Sequence, residues 1–183
     1  MKLPARFALI LGCLLLMFSG AVAARRSAVA NHLLKTYHYG PAVGANGEYF
    51  DYITVDSAAR RVYLGRGTEV QVIDADTGKL LGRITGFKRQ HGVAISHRFN
   101  RGFITDGGAG TVTIFDLRTL KRIRTVTAQP DADCVVYDPV SRRGFTMNGD
   151  PHSSTVFDPR TAEWSRPSRW AARPNSPSLT VAA

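Results

Sequence analysis

The sequence predicts an all-β repeat protein, and two observations carry that expectation. The first is a phrase that returns at a fixed interval. It reads Ile73-Asp74-Ala75-Asp76-Thr77-Gly78-Lys79, then Phe115-Asp116-Leu117-Arg118-Thr119-Leu120-Lys121, then Phe157-Asp158-Pro159-Arg160-Thr161, with Asp74, Asp116 and Asp158 each 42 residues apart. The second is the texture between the copies: short runs rich in β-branched and aromatic residues, divided by Gly, Asn, Asp and Pro turns. Four such runs at a period of about 40–45 residues are the pattern of one β-propeller blade. The expected architecture is therefore a partial β-propeller, with blades over about 47–85, 86–127 and 128–161.

Each element follows from local chemistry. The repeats open on Tyr52-Ile53-Thr54-Val55-Asp56, Val93-Ala94-Ile95-Ser96-His97 and Cys134-Val135-Val136-Tyr137-Asp138. Polar turns ending in Arg60-Arg61, Asn100-Arg101 and Arg142-Arg143 lead to Val62-Tyr63-Leu64, Gly102-Phe103-Ile104-Thr105 and Gly144-Phe145-Thr146-Met147. Gly65-Arg66-Gly67, Asp106-Gly107-Gly108 and Asn148-Gly149-Asp150 predict the next turns. The third runs are Val70-Gln71-Val72-Ile73, Thr111 to Phe115 and Ser154 to Phe157, and within them Val70-Gln71-Val72 and Val112-Thr113-Ile114 alternate apolar and polar residues as half-buried strands do. The Asp-x-x-Thr-Gly-Lys phrase is a hairpin connection, with an aspartate that bonds its own backbone and a glycine at positive φ. Fourth runs follow at Lys79 to Ile84 and Lys121 to Val126. No stretch sustains a 3.6-residue period, which excludes a helical solenoid.

Targeting signals frame these repeats. Lys2 and Arg6, an apolar run from Phe7 to Phe18 and an Ala21-Val22-Ala23 site predict a cleaved leader over residues 1–24, and hence a periplasmic or secreted protein cut near Ala23 or Ala24. The apolar run is shorter than the roughly 17–25 residues of a spanning helix. Cys13 leaves with the leader, so Cys134 has no cysteine to pair with and reads as a buried, inert thiol. The formal net charge is +10, and without the leader and the residues from 162 onward it falls to +6, from 19 basic and 13 acidic side chains. Those basic residues are spread in pairs such as Arg60-Arg61 and Arg142-Arg143, which reads as solvated turns or, alternatively, as a surface that meets nucleic acid or another polyanion.

The third copy breaks after Thr161. Residues 162–183 hold both tryptophans and lack strand alternation, and four of the nine prolines fall from Pro159 onward. Two readings of this tail stand side by side: disorder, or a frameshift in the gene. Codons compatible with Ala162–Ala182, read one base out of phase, restore a fourth strand and the start of a further repeat.

From Asp51-Tyr52-Ile53-Thr54-Val55-Asp56 through Phe157-Asp158-Pro159-Arg160-Thr161, the chain resembles the YVTN-repeat, YncE-like β-propeller proteins. His91-Gly92-Val93-Ala94-Ile95, Thr111-Val112-Thr113-Ile114-Phe115-Asp116 and Asp138-Pro139 carry the phrasing. The resemblance implies an exported bacterial protein of about seven blades, of which this chain would supply about three, the third without its outer strand. It also implies an N-terminal strand at 33–37 and, where blades are missing, exposed apolar faces and poor solubility.

Chemistry is sparse. Asp51, Gly92 with His91 beside it, and Asp133 stand at equivalent places before the first run of each repeat, and in a propeller that entry lines a channel mouth, which makes Asp51, His91 and Asp133 the candidate binding residues. The plain alternative for each is a turn-capping aspartate or a histidine bonded to nearby backbone. His152 reads as a solvated loop residue. Gly107-Gly108-Ala109-Gly110 precedes a strand, so it reads as a hairpin and not as a phosphate cradle. No motif for a metal, a cofactor or a catalytic nucleophile is present. The expected function is a non-enzymatic exported propeller that binds an unknown protein or small molecule. The alternatives are a fragment of a lactonase or quinoprotein-dehydrogenase type of propeller enzyme, or a polyanion-binding propeller.

Overall fold

The computed structural model describes residues 32–42 and 49–169, with the backbone alone over 164–169. The expected leader over 1–24, and the part of the tail beyond 169, lie outside the described residues. The chain divides into two compact units, Met1–Thr36 and Tyr37–Ala183. Residues 33–37, expected as an N-terminal strand, carry no regular secondary structure. No described helix is long and apolar enough to cross a membrane.

The described residues of the second unit form ten strands: β1 (Ile53–Asp56), β2 (Arg61–Asp74), β3 (Leu80–Ser96), β4 (Arg101–Asp106), β5 (Thr111–Asp116), β6 (Arg122–Thr127), β7 (Ala132–Asp138), β8 (Arg143–Asn148), β9 (Ser153–Phe157) and β10 (Trp164–Arg169). A 3-10 turn, His97–Phe99, joins β3 to β4. The strands form two antiparallel sheets, one in the order β1-β2-β3-β4-β5-β6 and the other β10-β9-β8-β7.

This corrects the expected architecture. The molecule is all-β, but its two sheets are open and separate, and they are not curled or closed into the blades of a YVTN-type propeller. The reason lies in two long strands. β2 runs 14 residues, straight through the turn expected at Gly65-Arg66-Gly67. β3 runs 17 residues and crosses the boundary expected between the first and second blades near residue 85. Its pairing with both β2 and β4 fuses strands of two sequence repeats into one sheet of six. Short-range turn signals marked divisions there, but register shifts at Gly67/Glu69 and Gln90/Val93 absorb the irregularity without ending the strands.

The repeated aspartates do build one turn three times. Asp74 Oδ1 accepts the amides of Asp76 (3.1 Å) and Thr77 (2.8 Å). Asp116 Oδ1 does the same for Arg118 (2.9 Å) and Thr119 (2.8 Å), and Asp158 Oδ1 takes the amide of Arg160 (2.8 Å). The residue four positions on donates back to each aspartate carbonyl: Gly78 (2.9 Å), Leu120 (2.8 Å) and Ala162 (2.9 Å). All three take positive φ, at 72°, 59° and 62°. The backbone motif thus continues past the compositional break at Thr161, and Asp158 N–H donates to Glu163 O (2.8 Å). β10 then pairs with β9, although its sequence shows no alternation. Backbone bonding decides the strand there, not side-chain periodicity.

Two apolar clusters hold the unit together. The first joins Tyr63, Val70 and Val72 of β2 to Val93, Ile104 and Phe115. The second joins Ala94, Phe103, Val112 and Ile114 of the larger sheet to Val135 and Phe157 of the smaller, which packs through β7 against β3 and β4. Matching aromatic contacts anchor both clusters, Tyr63–Phe115 at 5.9 Å and Phe103–Phe157 at 5.4 Å between centroids. Phe115 and Phe157 each lie over a glycine on the neighbouring strand, Phe115 opposite Gly102 and Phe157 opposite Gly144. A β-carbon at either glycine would fall 2.1 Å from the ring Cζ, so the bare backbone is what admits the ring.

Candidate functional site

The strand registers align the three repeats residue by residue. β1 pairs Val55 with Val62 and Ile53 with Leu64, β3–β4 pairs Ile95 with Gly102 and Val93 with Ile104, and β7–β8 pairs Tyr137 with Gly144 and Val135 with Thr146. Ile53, Val93 and Val135 are therefore one position seen three times. The residue two places earlier is Asp51, His91 and Asp133.

The structure brings those three residues to one corner. His91 Nδ1–H donates to Asp51 Oδ2 at 2.5 Å. Asp133 Oδ1 lies 3.7 Å from the same nitrogen, an electrostatic contact too long for a hydrogen bond. The far ring nitrogen, Nε2, is buried without a hydrogen-bond partner among the described residues and faces Gly107. Identical positions meet because successive repeats lay their opening strands next to one another. Thr105 ties the strands together, since its hydroxyl accepts from Gly92 N–H (2.9 Å) and donates to Asp133 O (2.5 Å).

Several neighbours complete the corner, and the sequence reading did not single them out. The Tyr49 hydroxyl donates to Gln90 O at 3.0 Å, and its ring stands 6.3 Å from that of His91. Burial, and next the Asp51 carboxylate, raise the Tyr49 phenol above its ordinary pKa. The Asp133 carboxylate is the main cause raising that of Tyr52, which is 46% exposed. Asp106 accepts the amides of Lys88 (3.0 Å) and Arg89 (2.9 Å) and so fixes the segment leading to His91. The Arg89 guanidinium pairs with Asp131. Arg89 and Asp131 are 42 residues apart and so hold one position in successive repeats, and their contact is set by the packing.

The electrostatics of the corner are unusual for this chain. Two carboxylates share one imidazole, and among the described residues no lysine or arginine pairs with Asp51 or Asp133. No described group of three His, Cys, Asp or Glu side chains is arranged to hold a metal ion. Cys134, next in the chain, is half-buried, and desolvation followed by the Asp133 charge raises its thiol pKa, so thiolate chemistry is disfavoured. His152 is exposed in its turn, and Gly107–Gly110 form the β4–β5 hairpin. A separate cleft lies between Tyr37, Tyr39, Phe50 and Arg66, where the Arg66 guanidinium sits 5.1 Å from the Phe50 centroid and bonds Gly40 O at 2.6 Å.

No family model matches the chain, and no curated protein matches it. Among solved structures it is similar to the hydrazine synthase of Kuenenia stuttgartiensis, with a TM-score of 0.61 and 14% identity over 70% of this chain and 39% of that one. It is also similar to Sqt1 of Saccharomyces cerevisiae, with a TM-score of 0.57 and 14% identity over 66% of this chain and 34% of that one. The chain thus spans well under half the length of either. At such identity the likeness is one of fold alone. These distant matches, with the open sheets, overturn the expected propeller binding module and its two alternatives, the lactonase or quinoprotein type of enzyme fragment and the polyanion-binding propeller.

Proposed function

We propose that the Asp51–His91–Asp133 corner binds a compact cationic group, a protonated amine or a guanidinium. The supporting observation is that two carboxylates converge on one imidazole with no lysine or arginine paired to either among the described residues, on a chain of net charge +10. Nδ1–H of His91 orients the Asp51 carboxylate, and Asp133, with its side chain 42% exposed, offers its oxygens to solvent. An incoming cation meets Asp133 and the face of Tyr52, and a π face adds attraction for a cation. Tyr49 walls the buried side. For the place of action we infer the periplasm or the cell exterior, supported by the leader pattern of residues 1–24; a mature N-terminus at residue 24 or 25 is the expected result.

The test is titration with n-butylamine against uncharged n-butanol, followed through the His91 ring proton by NMR. The amine should shift that signal saturably and the alcohol should not. Asp133→Asn should weaken amine binding about tenfold, about 1.4 kcal/mol. Equal responses to both compounds, or an unchanged Asp133→Asn variant, would overturn the reading.

A further inference from the structure

Repeat alignment shows one apolar position in two states. Val93 and Val135 are each 6% exposed, whereas the equivalent Ile53 is 62% exposed, and Val55 beside it is 61% exposed. The opposite face of the repeat behaves in the reverse order. Ala94 is 8% exposed and Phe103 is fully buried, whereas their equivalents Val136 and Phe145 are respectively 45% exposed and half-buried on the outer face of the smaller sheet. Met147 is 37% exposed there, while its equivalent Thr105 is buried.

The interior of the molecule shows what covers each face. Ala94 and Phe103 are covered by Val135 and Phe157 of the next repeat, in the cluster between the two sheets. Tyr63, which occupies the Phe103 position, is covered in the same way by Val93 and Phe115. The face of one repeat that carries Ala94 and Phe103 thus packs on the face of the next that carries Val135. By that rule, the exposed Val136–Phe145–Met147 face fits a surface of the Ile53–Val55 type, and this chain carries such a surface at its other end.

We propose that two copies of this chain associate head to tail, with the Ile53–Val55 face of one on the Val136–Phe145–Met147 face of the other. The contact repeats the packing already made twice inside each copy. It is heterologous, so each dimer retains one open face of each kind and can extend further. Ile53 and Val136 are both solvent-exposed, so a charge at either leaves the core intact.

The test is sedimentation velocity of the full chain over a hundredfold concentration range. Wild type should grow in size with concentration. Ile53→Glu and Val136→Glu should each remain monomeric, with unchanged circular dichroism. Mixed in equal amounts, they should form a dimer that grows no further, because the first retains an intact Val136 face and the second an intact Ile53 face. A wild type that stays monomeric throughout, or an equimolar mixture that stays monomeric, would overturn the proposal. So would a dimer that survives in Ile53→Glu alone, since that outcome assigns the contact to like faces.

Discussion

Gly102→Ala isolates the contact on which the first core cluster depends. Gly102 lies opposite Phe115 on β4 and β5, and an added β-carbon would stand 2.1 Å from Cζ and 2.2 Å from Cε1 of the ring. Carbon atoms rest at about 3.5–4.0 Å, so the ring has to withdraw by about 1.4 Å. It has no free direction, because Phe115 is fully buried and Tyr63 stands against it at 5.9 Å. Overpacking of a core costs about 1–3 kcal/mol, and a displacement above 1 Å belongs at the top of that range. Removing a glycine from a strand returns about 0.5–1 kcal/mol of backbone entropy. The net expectation is a loss of about 2 kcal/mol, a fall in Tm of about 6–10 °C for a domain of this size. Thermal and urea unfolding by circular dichroism measure it. Gly40→Ala is the control, since nothing lies within 4 Å of its β-carbon, and it should stay within about 0.5 kcal/mol of wild type. Phe115→Leu combined with Gly102→Ala should be more stable than the two single losses predict, by about 1 kcal/mol. A Gly102→Ala protein as stable as wild type, or a strictly additive cycle, refutes the packing argument.

Gly78→Ala places an L-residue at φ 72° and should cost about 1–2 kcal/mol in the same unfolding assay. Tyr37, whose ring the new β-carbon would meet, is 39% exposed and can turn aside, so the backbone carries the effect. Arg83→Met removes a guanidinium that bonds the fully buried Glu69 carboxylate at 2.5 Å, to which Gln71 Nε2 still donates at 2.7 Å, and should destabilise by about 2 kcal/mol, less than the roughly 3–5 kcal/mol of a buried charge left uncompensated. Asp158 is held well below the usual carboxylate range, first by the Arg160 guanidinium, with the Arg160 amide and Arg143 adding to it. A depressed folded pKa contributes stability above the unfolded value of about 4, and that contribution is lost as pH falls through the folded value. Asp158→Asn should therefore be less stable than wild type at pH 7, and the gap should narrow steadily below pH 4 in urea melts.

How much of this molecule was legible depended on the range of the forces involved. The antiparallel strands and the thrice-built aspartate turn were readable, because each turn is closed by bonds among six neighbouring residues from Asp74 to Lys79, Asp116 to Lys121 and Asp158 to Glu163. The strand β10 was not, since Trp164–Arg169 carries no alternation and is set by its partner β9. The sequence pointed to Asp51, His91 and Asp133 at the entries to the opening runs, while the strand registers that make Asp51 and His91 equivalent, Tyr49 and the Arg89–Asp131 pair emerged only in three dimensions.

By itself, the sequence determined the all-β character, the repeat interval and the chemistry of each turn, all of which are local. Tertiary structure alone decided that β2 and β3 run through their turn signals and fuse two repeats into one sheet of six. It also decided which copies of a repeated position are buried and which face solvent. The physical reason is that pairing partners and burial belong to surfaces brought together over long separations, and a turn residue such as Gly67 can serve equally as a bulge when a neighbouring strand takes up its hydrogen bonds.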